Sequence, residues 1–131
     1  MPSPSSYSPL ALAFLGDTVF DLLVRKELLG SANRPVKDLH NLAASKVCAA
    51  AQAAAVKKIL PLLDDEEAEV FKRGRNAHPG SVPKNQSVSD YHYATGLEAL
   101  FGWLYLSGNT GRIQYLYNII AQGGEENEKT G

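Results

Sequence analysis

The sequence lacks the features that define several broad classes of protein. Its single cysteine, Cys48, cannot form an internal disulfide, so a reducing compartment such as the cytoplasm fits. Because Cys48 lies in an alanine-rich helical run, we expect a small buried side chain there rather than a nucleophile. No apolar run reaches the roughly 18 residues of a membrane span. The first residues carry neither the basic nor the apolar region of a signal peptide, so we expect a cytoplasmic protein without a membrane partner.

The sequence also lacks the clustered histidines and cysteines of zinc sites, and it shows no internal repeat and no β-like alternation. What it contains is ordinary for a globular protein: 131 residues, of which 44% are hydrophobic and 21% charged. That length predicts one domain with a real core, over residues 1–124. Residues 125–131 hold three acids and one base, and we expect them to form a disordered acidic tail.

Positive charge is concentrated in one segment, residues 72–84. The whole chain has a net charge of −1, but this segment contains four bases and no acid. Its bases are Lys72, Arg73, Arg75 and Lys84. Such a segment is a candidate contact for a polyanion, although charge alone is more often typical of a solvated surface.

Helix start and stop signals recur along the chain and predict an all-α protein. Ser8 and Pro9 are typical of a helix start, and the run behind them is apolar on most faces. Residues 74–89 are predicted to be a loop because of their glycines and prolines. The predicted helices occupy residues 9–29, which Gly30 ends, a region between Pro35 and Pro61, residues 64 or 65 to about 72, residues 90–106, and residues 109 or 110 to about 122.

Two acidic residues, Asp17 and Glu98, stand in apolar helical surroundings. A carboxylate buried without a partner costs on the order of several kcal/mol, so such residues usually have one. For two carboxylates a shared cation is an economical partner, and oxygen-only ligation favours Mg²⁺ or Mn²⁺. A divalent ion held by carboxylates indicates phosphate chemistry.

Small residues flank both carboxylates. They are Ala13 and Gly16 beside Asp17, and Ala94, Thr95 and Gly102 beside Glu98. They allow two helices to approach closely, or leave room for ions and a phosphate. The alternative is a helix-packing groove whose carboxylates pair with arginine or lysine. Asp21 lies one turn after Asp17 on the same helix face and could assist in holding the metal. We favour the alternative that Asp21 is simply exposed or paired with a base.

The stretches around these acids resemble the ribonuclease III family. Residues 14–19, Phe-Leu-Gly-Asp-Thr-Val, resemble its signature helix, and residues 97–102, Leu-Glu-Ala-Leu-Phe-Gly, resemble its second catalytic helix. The resemblance extends over residues 7–122 and includes residues 71–77, 83–85 and 93–100. It is closer to the Mini-ribonuclease III branch, which is a catalytic domain without a double-stranded-RNA-binding domain.

The resemblance implies a ribonuclease III endonuclease-domain-like helical bundle, with residues 1–124 as the catalytic domain. It implies that Asp17 and Glu98 are catalytic and bind Mg²⁺, for which Mn²⁺ can substitute. The implied reaction is endonucleolytic hydrolysis of double-stranded RNA to 5′-phosphate and 3′-hydroxyl ends. Where full-length ribonuclease III has a glutamate and an aspartate, this chain has Ala13 and Thr95, so waters or RNA phosphates must complete the metal shell.

The resemblance also implies partners. It implies a homodimer in which each site cuts one strand, and the base-paired stem flanking precursor 23S ribosomal RNA in bacteria as the substrate. A ribosomal protein can assist members of the family. Duplex RNA is read through phosphates and 2′-hydroxyls, so we predict contacts from the basic segment and its surroundings. The predicted RNA-binding residues are Lys72, Arg73, Arg75, Asn76, Lys84, Asn85 and Tyr91.

Two other functions stay open at this point. A catalytically silent relative could bind structured RNA or a ribosomal particle through the basic loop, but it would not need Asp17 and Glu98 together. The second is a helical interaction protein that binds no nucleic acid, and the acid-free segment 72–84 argues against it. His78, beside Pro79, is expected to form loop hydrogen bonds rather than to catalyse.

Overall fold

The computed structural model describes residues 2–77, 84 and 86–130, and of residues 123–130 it describes only the backbone. Within these residues the chain forms six α-helices and two 3₁₀ turns, Pro4–Ser6 and Leu60–Leu62, and it contains no β-strand. The helices are α1 (Pro9–Ser31), α2 (Val36–Val47), α3 (Ala49–Ile59), α4 (Asp65–Arg75), α5 (Val88–Leu106) and α6 (Thr110–Thr130). The predicted all-α fold is therefore confirmed. In this part of the chain, none of the helices has the length and apolar character needed to cross a membrane.

Side-chain caps set the starts of four helices. The Ser8 hydroxyl accepts a hydrogen bond from the backbone amide of Ala11, in the first turn of α1, at 3.1 Å. Asp64 forms a reciprocal capping box with Glu67 at the start of α4. The Asn109 side chain accepts a hydrogen bond from the backbone amide of Arg112, in the first turn of α6, at 3.2 Å. Ser87 caps α5, which therefore begins two residues before its predicted start.

The predicted helical region between Pro35 and Pro61 is two helices rather than one. The helix breaks at Cys48, whose extended backbone (ψ 159°) separates α2 from α3. Cys48 is exposed, so the expectation of a buried side chain was wrong, because the break removes this position from the buried face of either helix. Its thiol lies 3.7 Å from the carbonyl oxygen of Ser45.

The last helix also differs from its prediction. Its backbone stays helical to Thr130 instead of ending near Gln122. Gly123 and Gly124 lower helix propensity but do not forbid a helix, and helix-favouring glutamates follow them. The division into a domain over residues 1–124 and a disordered tail over residues 125–131 stays a prediction.

The middle of the bundle is α5, which contacts α1, α3, α4 and α6. Four large apolar residues of α5 are buried in the core: Leu97, Leu100, Phe101 and Leu104. Phe20 of α1 meets Phe101 edge-on, with the ring centroids 5.7 Å apart. This packing fixes α1 along α5, and these are the two helices that carry the candidate acids.

Glycines bring α1 and α5 into backbone contact. A Cβ added to Gly16 would overlap the carbonyl oxygen of Glu98, and one added to Gly102 would overlap the carbonyl oxygen of Leu12. Only a residue without a side chain fits at either position. Because Asp17 directly follows Gly16, this crossing holds both candidate acids at one level of the bundle.

A similar contact explains why α4 continues past its predicted end near residue 72. Gly74 does not end the helix, because it lies in the contact with α5, where an added Cβ would be 2.7 Å from the Cβ of Ala99. Across the same contact, Gly96 of α5 lies against the ring of Phe71. The basic residue Arg75 therefore belongs to a packed helix and not to the loop that the sequence predicted.

A buried ion pair joins α4 to α6. The Nε atom of Arg112 lies 2.7 Å from Glu67, whose side chain is 3% exposed, and Nη2 donates to the other carboxylate oxygen at 2.8 Å. Nη2 also donates to the Leu62 carbonyl at 2.9 Å. The hydrogen bond with Glu67 raises the pKa of Arg112 above its ordinary value. This pair fixes the start of α4 and leaves Glu67 engaged with a partner that the sequence did not predict.

Replacement of Gly16 by alanine should destabilise the protein, because the new Cβ would push α1 away from α5. We expect the free energy of unfolding to fall by about 2 kcal/mol or more, as measured by urea unfolding. Gly30→Ala is the matched control, since Gly30 lies on the same helix with nothing beyond that helix within 4 Å of an added Cβ. The control should keep or slightly raise stability. Equal stability of the two variants would contradict the backbone crossing.

Candidate active site

The crossing of α1 and α5 places Asp17 beside Glu98, near enough for the charge of Asp17 to act on the Glu98 carboxyl group. Glu98 is half-buried between the helices, whereas Asp17 is exposed on the surface of α1. The apolar surroundings that the sequence showed around both acids therefore enclose only Glu98. Asp17 is open to solvent because it lies at the edge of the crossing, next to Gly16.

The environment of Glu98 favours its protonated form. Burial, the negative charge of Asp17 and a polar interaction with the Asp17 side chain, in that order, raise the pKa of Glu98 to about 8. The side-chain amide of Gln52 acts in the opposite direction. Near neutral pH Glu98 therefore favours its protonated form, and a cation bound between the two acids would offset both its burial and the charge of Asp17.

A cavity of about 170 Å³ opens beside Glu98. Its polar lining comes from Gln52, Gln86, Tyr91, Thr95 and Glu98. Gln52 is 2% exposed, and its amide nitrogen has no hydrogen-bond partner of good geometry among the described residues. Sequence reasoning missed Gln52, since its only signal was a lone amide in the alanine-rich run of α3.

These residues fit a divalent cation of the magnesium type. The two carboxyl groups supply oxygen donors, and the adjoining cavity has room for several waters. Among the side chains that the structure describes, in residues 2–77, 84 and 86–122, no group of three or more histidine, cysteine, aspartate or glutamate residues is placed to hold a metal. The Thr95 hydroxyl donates to the Tyr91 carbonyl oxygen at 2.9 Å, one turn earlier on its own helix, and it brings no carboxylate to the site. Water or substrate must therefore supply the remaining ligands.

Asp21 forms a salt bridge with Arg25, as expected from the sequence. Its carboxylate lies 3.0 Å from the Nε atom of Arg25, one turn further along α1. Both side chains are well exposed, so the pair contributes little to stability. Asp21 is thus engaged away from the two candidate acids.

The predicted RNA-binding residues fall on two sides of α4. Arg75 and Asn76, at its C-terminal end, line a cavity of about 560 Å³. The same cavity is lined by Ser89, His92 and Tyr93 of α5. The ammonium group of Lys57 lies 4.9 Å from the centre of the Tyr93 ring, so a further cation stands near this cavity. Tyr91 lines the neighbouring cavity beside Glu98.

Arg73 lies on the other side of α4. It lines a separate cavity with Asp65, Glu66 and Glu69, beside Trp103. Nearby acids reduce the attraction of an arginine for phosphate. Of the other predicted RNA-binding residues, Lys72 and Lys84 are exposed and Asn85 lies outside the described residues, as does His78.

Comparisons with known proteins identify the class to which this fold belongs. Residues 10–109, which include both candidate acids, match the family model of the ribonuclease III domain. A Mini-ribonuclease 3 of Thermoanaerobacter sp. (strain X514) is 44% identical over 121 residues, which cover 92% of this chain and 85% of the relative. A Mini-ribonuclease 3 of Desulfitobacterium hafniense (strain Y51) is 46% identical over 123 residues, which cover 93% and 78%. A crystal structure of a protein from Fusobacterium nucleatum superposes with a TM-score of 0.85 and 35% identity, over 94% of each chain.

The all-helical fold and the matched domain define an endonuclease domain of the ribonuclease III type. The chain belongs to the ribonuclease III family, and its relatives over most of its length are Mini-ribonuclease 3 proteins. It is therefore an endoribonuclease. The family acts on double-stranded RNA, generally depends on a divalent metal and is usually dimeric.

The metal-free protein should lose stability as the pH rises from about 4.5 to about 8. Glu98 binds its proton more tightly in the folded protein than in the unfolded chain, where its pKa is 4.5. The stability due to this protonation is fully present below pH 4.5 and is lost as the pH rises through about 8. Thermal unfolding in EDTA at a series of pH values measures this loss.

Glu98→Gln should flatten that pH dependence and raise the melting temperature at pH 8, because it removes the ionisable group at nearly constant volume. Asp21→Asn is the matched control, since it removes an acid on α1 whose partner is Arg25. This control should keep the slope of the unaltered protein between pH 5 and 8. If Glu98→Gln kept that slope as well, the raised pKa of Glu98 would be refuted.

Proposed function

We propose that this protein is a Mg²⁺-dependent endoribonuclease that cuts double-stranded RNA and leaves 5′-phosphate and 3′-hydroxyl ends. The observation that supports the proposal is the placement of Asp17 beside Glu98 at the crossing of α1 and α5, where burial and the charge of Asp17 raise the pKa of Glu98 to about 8. We further propose that it works in the cytoplasm on the base-paired stem flanking precursor 23S ribosomal RNA. A ribosomal protein as an accessory partner stays a prediction.

Asp17 and Glu98 would hold Mg²⁺ through their carboxylate oxygens, with waters or RNA phosphate oxygens as the other ligands. The bound ion lowers the pKa of a nucleophilic water and stabilises the leaving 3′ oxygen. Glu98 must release its proton to become a ligand, and Asp17 can meet the substrate because it is exposed. The two acids stand on different packed helices, so the crossing sets their separation.

Duplex RNA is recognised largely by shape, through phosphates and 2′-hydroxyls across its minor groove. The residues proposed to contact it are Lys72, Arg73, Arg75, Asn76, Lys84, Asn85 and Tyr91. The support is strongest for Arg75, because its cavity is shared with Ser89, His92 and Tyr93, which precede Glu98 on α5. The support is weaker for Arg73, which lies among acids on the other side of α4.

Asp17→Asn or Glu98→Gln should abolish cleavage of a labelled RNA duplex and leave folding and RNA binding largely intact. Each change removes a charge that the cation needs while keeping the side-chain volume. A denaturing gel with and without Mg²⁺ measures cleavage, and fluorescence anisotropy measures binding. The control is Asp21→Asn, which makes the same change one turn along α1 at a residue paired with Arg25 and should cleave normally.

Near-normal turnover by either active-site variant at saturating Mg²⁺ would refute the site. A different result would point to the catalytically silent alternative: the unaltered protein binds the duplex but does not cut it in Mg²⁺ or in Mn²⁺. A protein that neither binds nor cuts duplex RNA would contradict both functions.

An apolar stripe on α1 supports the proposed homodimer. Phe14 is 84% exposed, and Leu10, Leu22 and Leu29 are also exposed on the same side of this helix. A row of exposed apolar side chains is typical of an interface between proteins. Because Phe14 lies one turn before Asp17, a two-fold contact at this stripe would bring two sites together, as cutting both strands of one duplex requires.

Phe14→Glu should convert the dimer into a monomer, because a charge buried in an apolar contact is unfavourable. Light scattering at micromolar concentration measures the mass. The control is Leu62→Glu, which places the same charge at another exposed apolar position, 42% exposed and on the 3₁₀ turn Leu60–Leu62, and should leave the dimer intact. A monomeric unaltered protein that retains activity would contradict the proposal.

Arg75→Ala and Lys84→Ala, in an Asp17→Asn background, should each weaken duplex binding by about 1 kcal/mol or more. Each should also flatten the dependence of affinity on salt, because fewer counterions are released. Arg73→Ala, on the acid-rich side of α4, should have a smaller effect. Unchanged affinity and salt slope with a lowered melting temperature would instead make residues 72–91 structural, and would move the contact to the helix bearing Lys57 and Lys58.

A further inference from the structure

Gln52 is a deeply buried polar residue next to the candidate acids. It lies on α3, which packs against α5, and it is 2% exposed. Its amide nitrogen is one of two buried side-chain nitrogen or oxygen atoms that lack a hydrogen-bond partner in the part of the chain that the structure describes. Buried donors are almost always satisfied, so this exception requires a physical reason.

The neighbour of the amide supplies that reason. The Gln52 amide is close enough to the Glu98 carboxyl group to act on it electrostatically, yet no bond of good geometry joins them among the described residues. The same amide lines the 170 Å³ cavity that opens beside Glu98. The donor therefore lies beside an acceptor with which it forms no hydrogen bond of good geometry.

Two other residues beside the candidate acids do not perform this task. The Thr95 hydroxyl donates to the backbone carbonyl of Tyr91, and Ala13 offers no polar atom. With only two carboxylates at the site, the orientation of each one matters more than in a site with many ligands. A carboxylate at a metal site is commonly held by a hydrogen bond on the oxygen that does not face the metal.

We propose that Gln52 is a positioning residue of the cleavage site, whose amide N–H group holds one oxygen of Glu98 so that the other faces Asp17 and the cavity. This inference rests on the proposed function, in which Asp17 and Glu98 hold Mg²⁺. An amide nitrogen carries two hydrogens, so the second N–H group faces the cavity and is available to a water or a phosphate oxygen of the RNA.

Gln52→Leu and Gln52→Met test the proposal, because both remove the donor at similar volume but differ in shape. Mn²⁺ affinity, measured by electron paramagnetic resonance without RNA, should fall about tenfold or more in both variants. The kcat for duplex cleavage should fall together with the Mn²⁺ affinity. KM should change little, because most of the proposed RNA contacts come from other residues. The melting temperature in EDTA should stay unchanged or rise, since an unsatisfied buried donor is removed.

Gln114→Met is the control, because the Gln114 amide on α6 donates to Asn118 at 2.8 Å and should affect neither metal affinity nor kcat. Normal Mn²⁺ affinity and kcat in both Gln52 variants would overturn the proposal. A lowered melting temperature with normal Mn²⁺ affinity would also overturn it, in favour of a packing role. If Asp17→Asn and Glu98→Gln also bound Mn²⁺ and cleaved normally, the proposed metal site itself would be wrong. The active-site variants therefore distinguish a failure of the proposed function from a failure of the proposed role of Gln52.

Discussion

The backbone contact between α1 and α5 is the constraint on which the rest of the structure depends. Gly16 and Gly102 let the two helices touch without intervening side chains. Residues beside such a contact cannot shift independently, so Asp17 and Glu98 are held together by packed helices instead of by loops. A larger residue at the crossing would displace both acids at once. Stability of the fold and geometry of the candidate site are therefore coupled at this one place.

The arrangement carries an electrostatic cost that the fold does not relieve. Glu98 lies half-buried beside a second carboxyl group, and burial is the main reason that its pKa rises to about 8. Glu67 is also a buried acid, but its charge is compensated, because Arg112 donates hydrogen bonds to both of its carboxylate oxygens, at 2.7 and 2.8 Å. The same chain thus satisfies one buried acid completely and leaves the other short of positive charge. That contrast favours a functional role for Glu98 over a structural one.

The features that could be predicted from the sequence are those with local signals. Helix starts such as the one at Ser8 depend on residues three or four apart, and the all-α fold follows from many such signals. The exposure of Cys48 could not be predicted, because neither glycine nor proline marks the break beside it. The ion pair of Glu67 with Arg112 joins residues 45 apart in sequence, which no local pattern contains. The placement of Gln52 beside Glu98 could not be predicted from the sequence for the same reason.

The central helix α5 shows why the candidate site was visible in the sequence while its surroundings were not. One side of α5 packs in the core through residues such as Leu97, another meets α4 at Gly96, and a third carries Tyr91 and Glu98 toward a cavity. With 3.6 residues per turn, contacts on three sides leave no wide polar face, so the helix appears apolar almost all round. An acid stands out against that background, and Glu98 could be found for this reason. The partners of each side come from α1, α3 and α4, and only the packed bundle brings them together.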